Sequence, residues 1–339
     1  MKGYRRIAAV IVGIVFLSAG ILKLMDPVGA GLVVEEYFRF LHLGFLVALS
    51  KGTAFALALL ESVVGIALVT GVKRVATAIV SAAMLFFFTG LTLVLWISNP
   101  PMDCGCFGEA IHLTHAQSLI KNLILCALWV VAFVPVGRYG GSAKMKYASF
   151  LVGTVSVIVF GIFELFHLPM VDFTPMAPGA ELFNASEETL YDGSPILSFY
   201  DADYEYRDSL AFGENVMVVS VYDAGSMDAK GWEKVESFLE SAGNAGYHTL
   251  LLSTDEPVEG RFFADRRTLL TLNRSNGGVT LISDGQVIRK WPYSSLPDEE
   301  MMQKIITSDS TEVMIESSTR SKTGLQAFLL YVFAVILLI

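Results

Sequence analysis

Five long apolar runs constrain this chain more than any other feature, because each can cross a hydrocarbon core of about 30 Å as a helix. They occupy residues 7–25, 53–72, 75–97, 119–136 and 147–168, and a sixth run closes the sequence at 325–339. At about 1.5 Å per residue the sixth reaches only about 22 Å, a marginal span. Lipid offers no partner to a backbone amide, so segments of this kind must be helical. Composition agrees: of 339 residues 53% are hydrophobic and 17% charged, against about 25% charged in soluble domains. The chain is therefore an integral membrane protein, and a soluble, disordered or nucleic-acid-binding class is excluded. The first run follows Lys2, Arg5 and Arg6 as a signal peptide would, but apolar sequence continues beyond Ser18-Ala19-Gly20, so an uncleaved helix is expected.

Charge divides the chain in two. Residues 1–170 and 323–339 hold 12 Lys and Arg against 7 Asp and Glu, a net +5, whereas residues 171–322 hold 12 against 26, a net −14. Lys2, Arg5 and Arg6, then Lys73 and Arg74, then Arg138, Lys144 and Lys146 occupy the N-terminus and alternate loops, with no acidic residue among them. The positive-inside rule makes those ends cytoplasmic. The loops at 26–51 and 99–118 and the acidic region after Leu168 then lie outside, in the periplasm of a bacterial inner membrane, where disulfides persist. The aromatic-rich segment 37–50 is too short to cross and contains Arg39 and His42, so it is expected to lie along or dip into the interface. Glu164, near the outer end of the fifth run, is expected at the headgroups.

The acidic region alternates strand and helix signals. Residues 216–222 and 248–253 read as buried strands around an amphipathic helix at 228–242, whose Trp232, Val235, Phe238 and Leu239 share a face. Residues 278–283 and 286–291 read as a hairpin turning at Asp284-Gly285, and 298–306 as a closing helix. That order is the order of a thioredoxin-like domain. Where redox-active members carry Cys-x-x-Cys at the start of the first helix, this sequence has Ala224-Gly225-Ser226-Met227, and Gly278-Val279 stands where a cis-proline is usual. The domain is expected to dock a periplasmic or membrane protein rather than exchange thiols. Its acidity disfavours anionic lipid and nucleic acid as partners.

The chemistry-bearing segment is Asp103-Cys104-Gly105-Cys106-Phe107-Gly108, in the outer loop before the fourth run. Two cysteines flanking one glycine can close a small strained disulfide ring, and strained disulfides are the more oxidising kind. Three readings compete. Cys104 and Cys106 can form a catalytic redox pair, moving electrons between periplasmic thiols and a membrane quinone. They can form a structural disulfide. They can also join His112 and His115 as an S₂N₂ metal set of the kind zinc accepts. Cys126, inside a span, reads as packing. Ionisable groups in spans are expensive and usually face a cavity. Glu61, Lys23, Lys121 and Asn122 all fall in the outer half of the bilayer, and with Asp103 they are candidate binding residues for a polar pocket beneath the cysteine loop, Glu61 pairing with Lys23 or Lys121. A scaffold or assembly subunit, and more weakly a transporter resting on Glu61, are the competing classes.

These residues carry a resemblance. Ser18-Ala19-Gly20, Lys23 and Asp26-Pro27 at the end of the first helix, Glu61 and Gly65 in the second, and the Asp-Cys-Gly-Cys-Phe-Gly loop before Lys121-Asn122 look like the DoxX/MauE-like membrane family. The whole chain is similar to longer Bacteroidetes members, in which a fifth helix ends in a segment like Leu168-Pro169-Met170-Val171-Asp172-Phe173. A thioredoxin-like domain and a last helix follow. The resemblance implies a four-helix core at 1–140, a fifth helix at 141–170, an inserted periplasmic α/β domain at 171–322 and a sixth helix at 323–339. It further implies a core akin to that of quinone-linked disulfide oxidoreductases, and a role in maturing periplasmic redox proteins such as methylamine dehydrogenase.

Overall fold

The computed structural model describes residues 3–134, 144–184 and 193–337; Lys2 and Arg138 of the basic set lie outside these residues. The chain forms two compact units, residues 1–165 with 326–339, and residues 166–325.

The first unit is helical: α1 (Gly3–Met25), α2 (Pro27–Phe40), a 3₁₀ segment (Gly44–Leu49), α3 (Ser50–Thr70), α4 (Arg74–Ser98), a short extended strand β1 (Cys106–Glu109), α5 (His115–Phe133) and α6 (Lys144–Phe166). Among the described residues, five stretches are long and apolar enough to cross a membrane: Gly3–Met25, Gly44–Thr70, Arg74–Ser98, His115–Phe133 and Lys146–Phe166. The protein is thus a multi-pass membrane protein in contact with the lipid bilayer. α1 and α3 pack closely: a Cβ on Gly65 would overlap the backbone of Leu17 and one on Gly20 would overlap Ser62. Small residues let these backbones meet, as lipid-embedded helices require. At one end of the bundle, arginines satisfy carbonyls that helix termini leave open. Arg5 Nε and Arg74 Nη2 donate to Ala132 O at 3.2 and 2.7 Å, Arg6 Nη1 donates to Leu68 O at 3.0 Å, and Arg6 Nη2 donates to Val69 O.

Three of the expectations are refined here. Residues 37–50 are expected to lie along or dip into the interface; a helix that begins at Pro27 runs into this segment, and Gly44–Leu49 joins the second candidate span. Asp26 caps that helix, its carboxylate accepting from Gly29 N at 2.8 Å, and Pro27 fits the first turn because its missing N–H would be unpaired there. Among the described residues the sixth run does not form a candidate span. It lies in a continuous helix, α10 (Ser310–Leu337), whose apolar part among the described residues is Thr323–Val332, about half a hydrocarbon core in length. Glu164, expected at the headgroups, is buried.

The second unit holds a mixed sheet: β2 (Val216–Val221), β3 (His248–Ser253), β4 (Phe262–Phe263), β5 (Gly278–Ser283) and β6 (Gln286–Trp291), in spatial order β4-β3-β2-β5-β6. β2 and β3 pair in parallel around the crossover helix α7 (Ala229–Asn244), while β5 runs antiparallel to both β2 and β6. Side chains alternate across β2. Met217, Val219 and Val221 pack with Val235 and Phe238 of α7 and with Met302 and Ile305 of α9 (Glu299–Ile306). Val216 and Val218 pack on the other face with Leu250, Leu269 and Leu272, the last two from α8 (Arg266–Leu272). The β5–β6 turn has positive φ at both Asp284 and Gly285, the twist a two-residue hairpin needs. A buried ion pair ties the start of this unit to its sheet: Lys290 Nζ donates to Asp172 Oδ2 at 2.6 Å and to Thr271 O at 3.2 Å. Burial pushes the Asp172 carboxyl up, but Lys290 and Thr174 overcome it, leaving it below the ordinary carboxylate value.

Candidate functional site

The cysteine loop is fixed from both sides. A capping box starts α5: Gln117 N donates to Thr114 Oγ1 at 3.2 Å and Thr114 N to Gln117 Oε1 at 3.0 Å. Lys121 and Asn122 thereby fall near the N-terminal end of that helix. Toward α2, Tyr37 Oη donates to Cys104 O at 2.7 Å and lies 4.0 Å from Cys104 Sγ. Gly105 has φ +59°, and a Cβ there would overlap Val33 of α2, so the residue between the cysteines must be glycine on two counts.

This pinning brings the two thiols together, Cys104 Sγ to Cys106 Sγ at 3.1 Å. Cys104 is buried at 4% exposure and Cys106 is half-buried. Hydrogen bonding from Cys104 lowers the Cys106 thiol to about 5, against the effect of burial and with help from the Lys121 and Lys23 ammonium groups. Cys104 moves the other way, because its proton is shared with Cys106 and it is buried. Burial and the neighbouring cysteines raise the Tyr37 phenol, so it stays protonated and able to donate. The arrangement is one thiolate beside one thiol, asymmetric in access and in acidity.

Below the sulfurs lies a cavity of about 220 Å³ between α1, α2, α3, α4 and α5. Lys23, Glu61, Lys121, Asn122, Cys104 and Cys106 all line it; the rest of its wall is almost wholly apolar. Of the two lysines offered for Glu61, Lys23 is the partner, its Nζ 2.7 and 2.9 Å from the two carboxylate oxygens, with Glu61 4% exposed. Lys121 Nζ stands 4.7 Å from the centre of the Phe107 ring. Asn122 Nδ2 donates to Thr92 Oγ1 at 3.1 Å. Asp103 is not in this cavity. It is 55% exposed and pairs with His112 at 3.1 Å, because the loop turns its side chain away from the bundle. His115 Nε2 meets Met102 O at 2.9 Å. The four-residue metal set is therefore not assembled, and no group of three or more His, Cys, Asp or Glu capable of holding a metal ion occurs among the described residues. Cys126 packs beside the core of the bundle, 3.6 Å from Thr89 Oγ1. Tyr37 and Thr92 are site residues that the sequence reading missed; Asp26-Pro27, a capped helix start, is the signal that would have placed Tyr37 on α2.

Residues 1–135 match the family described as methylamine utilisation protein MauE. This membrane region is MauE-like. The match covers the site described above, from Lys23 to Asn122, and ends before α6 and the second unit. No curated protein and no solved structure matches the chain.

Proposed function

We propose that the MauE-like region is a thiol oxidase of the periplasmic face of the inner membrane, acting through Cys104 and Cys106 in support of protein maturation. The observation that carries this is the 3.1 Å approach of two thiols of unequal acidity over a cavity in a membrane unit. In the oxidised pair, a thiolate of a partner protein attacks the Cys106 sulfur, the more accessible of the two. A bond forms between partner sulfur and Cys106, the Cys104–Cys106 bond breaks, and Cys104 leaves and takes a proton. A second partner thiol, losing its proton, then attacks the sulfur bound to Cys106. The partner gains a disulfide, Cys106 departs as a thiolate, and the pair has taken two electrons. Stabilising that thiolate favours the reduced pair, which makes its disulfide oxidising.

The same unit supports the expected orientation. Arg5 and Lys23 are separated by 18 residues of one helix, about 27 Å, so the arginine-capped end and the cysteine loop sit on opposite sides of a bilayer. The basic end is cytoplasmic.

The second unit is read as a thioredoxin-like docking domain without redox chemistry. In support, β2-α7-β3 and the β5–β6 hairpin have the expected pairing directions. The turn at Ala224-Gly225-Ser226-Met227 is held by Asn276, which donates to Asp223 O at 2.9 Å and accepts from Asp223 N at 3.0 Å. That turn is a fixed surface with no sulfur nucleophile. A scaffold role, with the cysteines only closing the loop, is the second reading, and the anchoring by Tyr37 and Gly105 favours it. Cells carrying Cys104→Ser/Cys106→Ser separate the two. The oxidase reading expects reduced thiols to accumulate in periplasmic proteins. Unchanged thiol status, with function lost only when the second unit is deleted, establishes the scaffold.

A further inference from the structure

At the arginine-capped end of the membrane unit, Arg5, Arg6 and Arg74 are occupied with helix carbonyls. Lys73, in the turn between α3 and α4, is exposed, and its side chain has no hydrogen-bond or ion-pair partner among the described residues. It stands at one end of a second cavity, an open groove of about 570 Å³ walled by α3, α4 and the start of α6. From this pairing of a lysine with an apolar groove we infer a binding site for one anionic phospholipid, its phosphate at Lys73 and an acyl chain in the groove. The groove shares no lining residue with the cavity beneath the cysteines, and the inference does not rest on the oxidase reading.

Lining, depth and charge each point to a lipid. Val64 and Ala67 of α3, Val80 of α4, and Phe150 and Leu151 of α6 line the groove, and Lys73 is the one charged residue among the described residues that do so. Val80 and Leu151 are 39% and 63% exposed, so the groove opens sideways onto the lipid-facing surface. The third wall is fixed where α6 approaches α3, since a Cβ on Gly153 would stand 3.3 Å from Ile66. From Lys73 to Val80, α4 rises about 10 Å, within the roughly 15 Å of hydrocarbon that one leaflet contributes to the core. An acyl chain whose headgroup sits at Lys73 therefore stays in its own leaflet. Tyr147, on the rim at the start of α6, is an aromatic of the kind that sits at headgroup level. No side chain caps the N-terminus of α4, so the positive end of its dipole adds to the Lys73 charge. An anionic headgroup satisfies both, whereas the ammonium of a zwitterionic one is repelled by them. Basic pockets between membrane helices are recurrent sites for anionic headgroups. The acidity that disfavours such lipids belongs to residues 171–322, net −14; residues 1–170 and 323–339 carry net +5.

The test uses the full chain in nanodiscs of equal phosphatidylglycerol and phosphatidylcholine with matched acyl chains, read by native mass spectrometry of the lipid retained on release. The inference expects one phosphatidylglycerol per chain, in about fivefold excess over phosphatidylcholine, the factor that one lysine at an anionic surface supplies. Lys73→Gln should remove the excess, and Lys51→Gln, at the opposite end of α3, should leave it unchanged. Ala76→Phe, which places a ring in the groove, should abolish retention; Val80→Trp serves if that variant misfolds by circular dichroism. Retention of the two lipids in bulk proportion, unchanged by Lys73→Gln, marks annular lipid only and overturns the inference. So does an excess of phosphatidylglycerol that survives filling of the groove. Displacement of the retained lipid by glycerol 3-phosphate assigns the site to a soluble phosphate and overturns it as well.

Discussion

Three neighbours lower the Cys106 thiol, and their order decides what each substitution does. The hydrogen bond from Cys104 is the largest influence lowering Cys106, ahead of Lys121 and Lys23. Alkylation of Cys106 should therefore stay fast from pH 9 down and fall with a midpoint near 5. In Cys104→Ala the midpoint should rise most, and in Lys121→Met by a smaller amount, both read from the pH profile of iodoacetamide labelling. Tyr37→Phe removes one hydrogen bond to a loop carbonyl, a loss of about 1 kcal/mol, and should speed labelling of Cys104. Gly105→Ala should cost more, because the left-handed conformation alone costs about 1–2 kcal/mol for a residue with a Cβ and Val33 stands in its way. The residue pattern Cys-Gly-Cys was legible in the sequence. The tyrosine that holds it was not, because Tyr37 is 67 residues away on a helix too short to announce itself by hydropathy.

Among the elements, those whose periodicity is set by burial were the readable ones. β3, β5 and β6 begin and end where their apolar runs do, and α7 and α9 start at the capping residues Asp228 and Asp298. β4 is two residues long and α8 seven, so neither displays a full period, and both arise from packing on β3 and β2. The Asp172–Lys290 pair is invisible in sequence for the same reason: it joins segments 118 residues apart. Lys290→Met should destabilise the second unit by about 3–5 kcal/mol, since it leaves a buried carboxylate unpaired. Asp172 is held below its unfolded value, so its contribution is present above the ordinary carboxylate range and is lost as pH falls through the folded value. Acid unfolding of the wild type should show this loss, and Asp172→Asn should flatten it, as chemical denaturation across pH 3 to 7 would reveal.

At the scale of the molecule, apolar runs fixed the membrane class and the number of candidate spans to within one, and the family match covers the part of the chain where the candidate site lies. What hydropathy could not show is that a fourteen-residue helix, α2, walls the cavity on one side, since length alone marks it as neither span nor loop. If the bundle is oriented as proposed, a membrane-impermeant maleimide applied to intact cells should label Cys106 and spare a cysteine introduced at Lys73; the opposite pattern reverses the topology. The central claim, that Cys104 and Cys106 exchange electrons as a pair, is tested most directly by redox titration of the full chain in glutathione buffers, read by thiol mass-tagging. The account predicts one two-electron transition in which both thiols disappear together, abolished by either single Cys→Ser change. Two thiols that remain separately taggable at the most oxidising poise would contradict it.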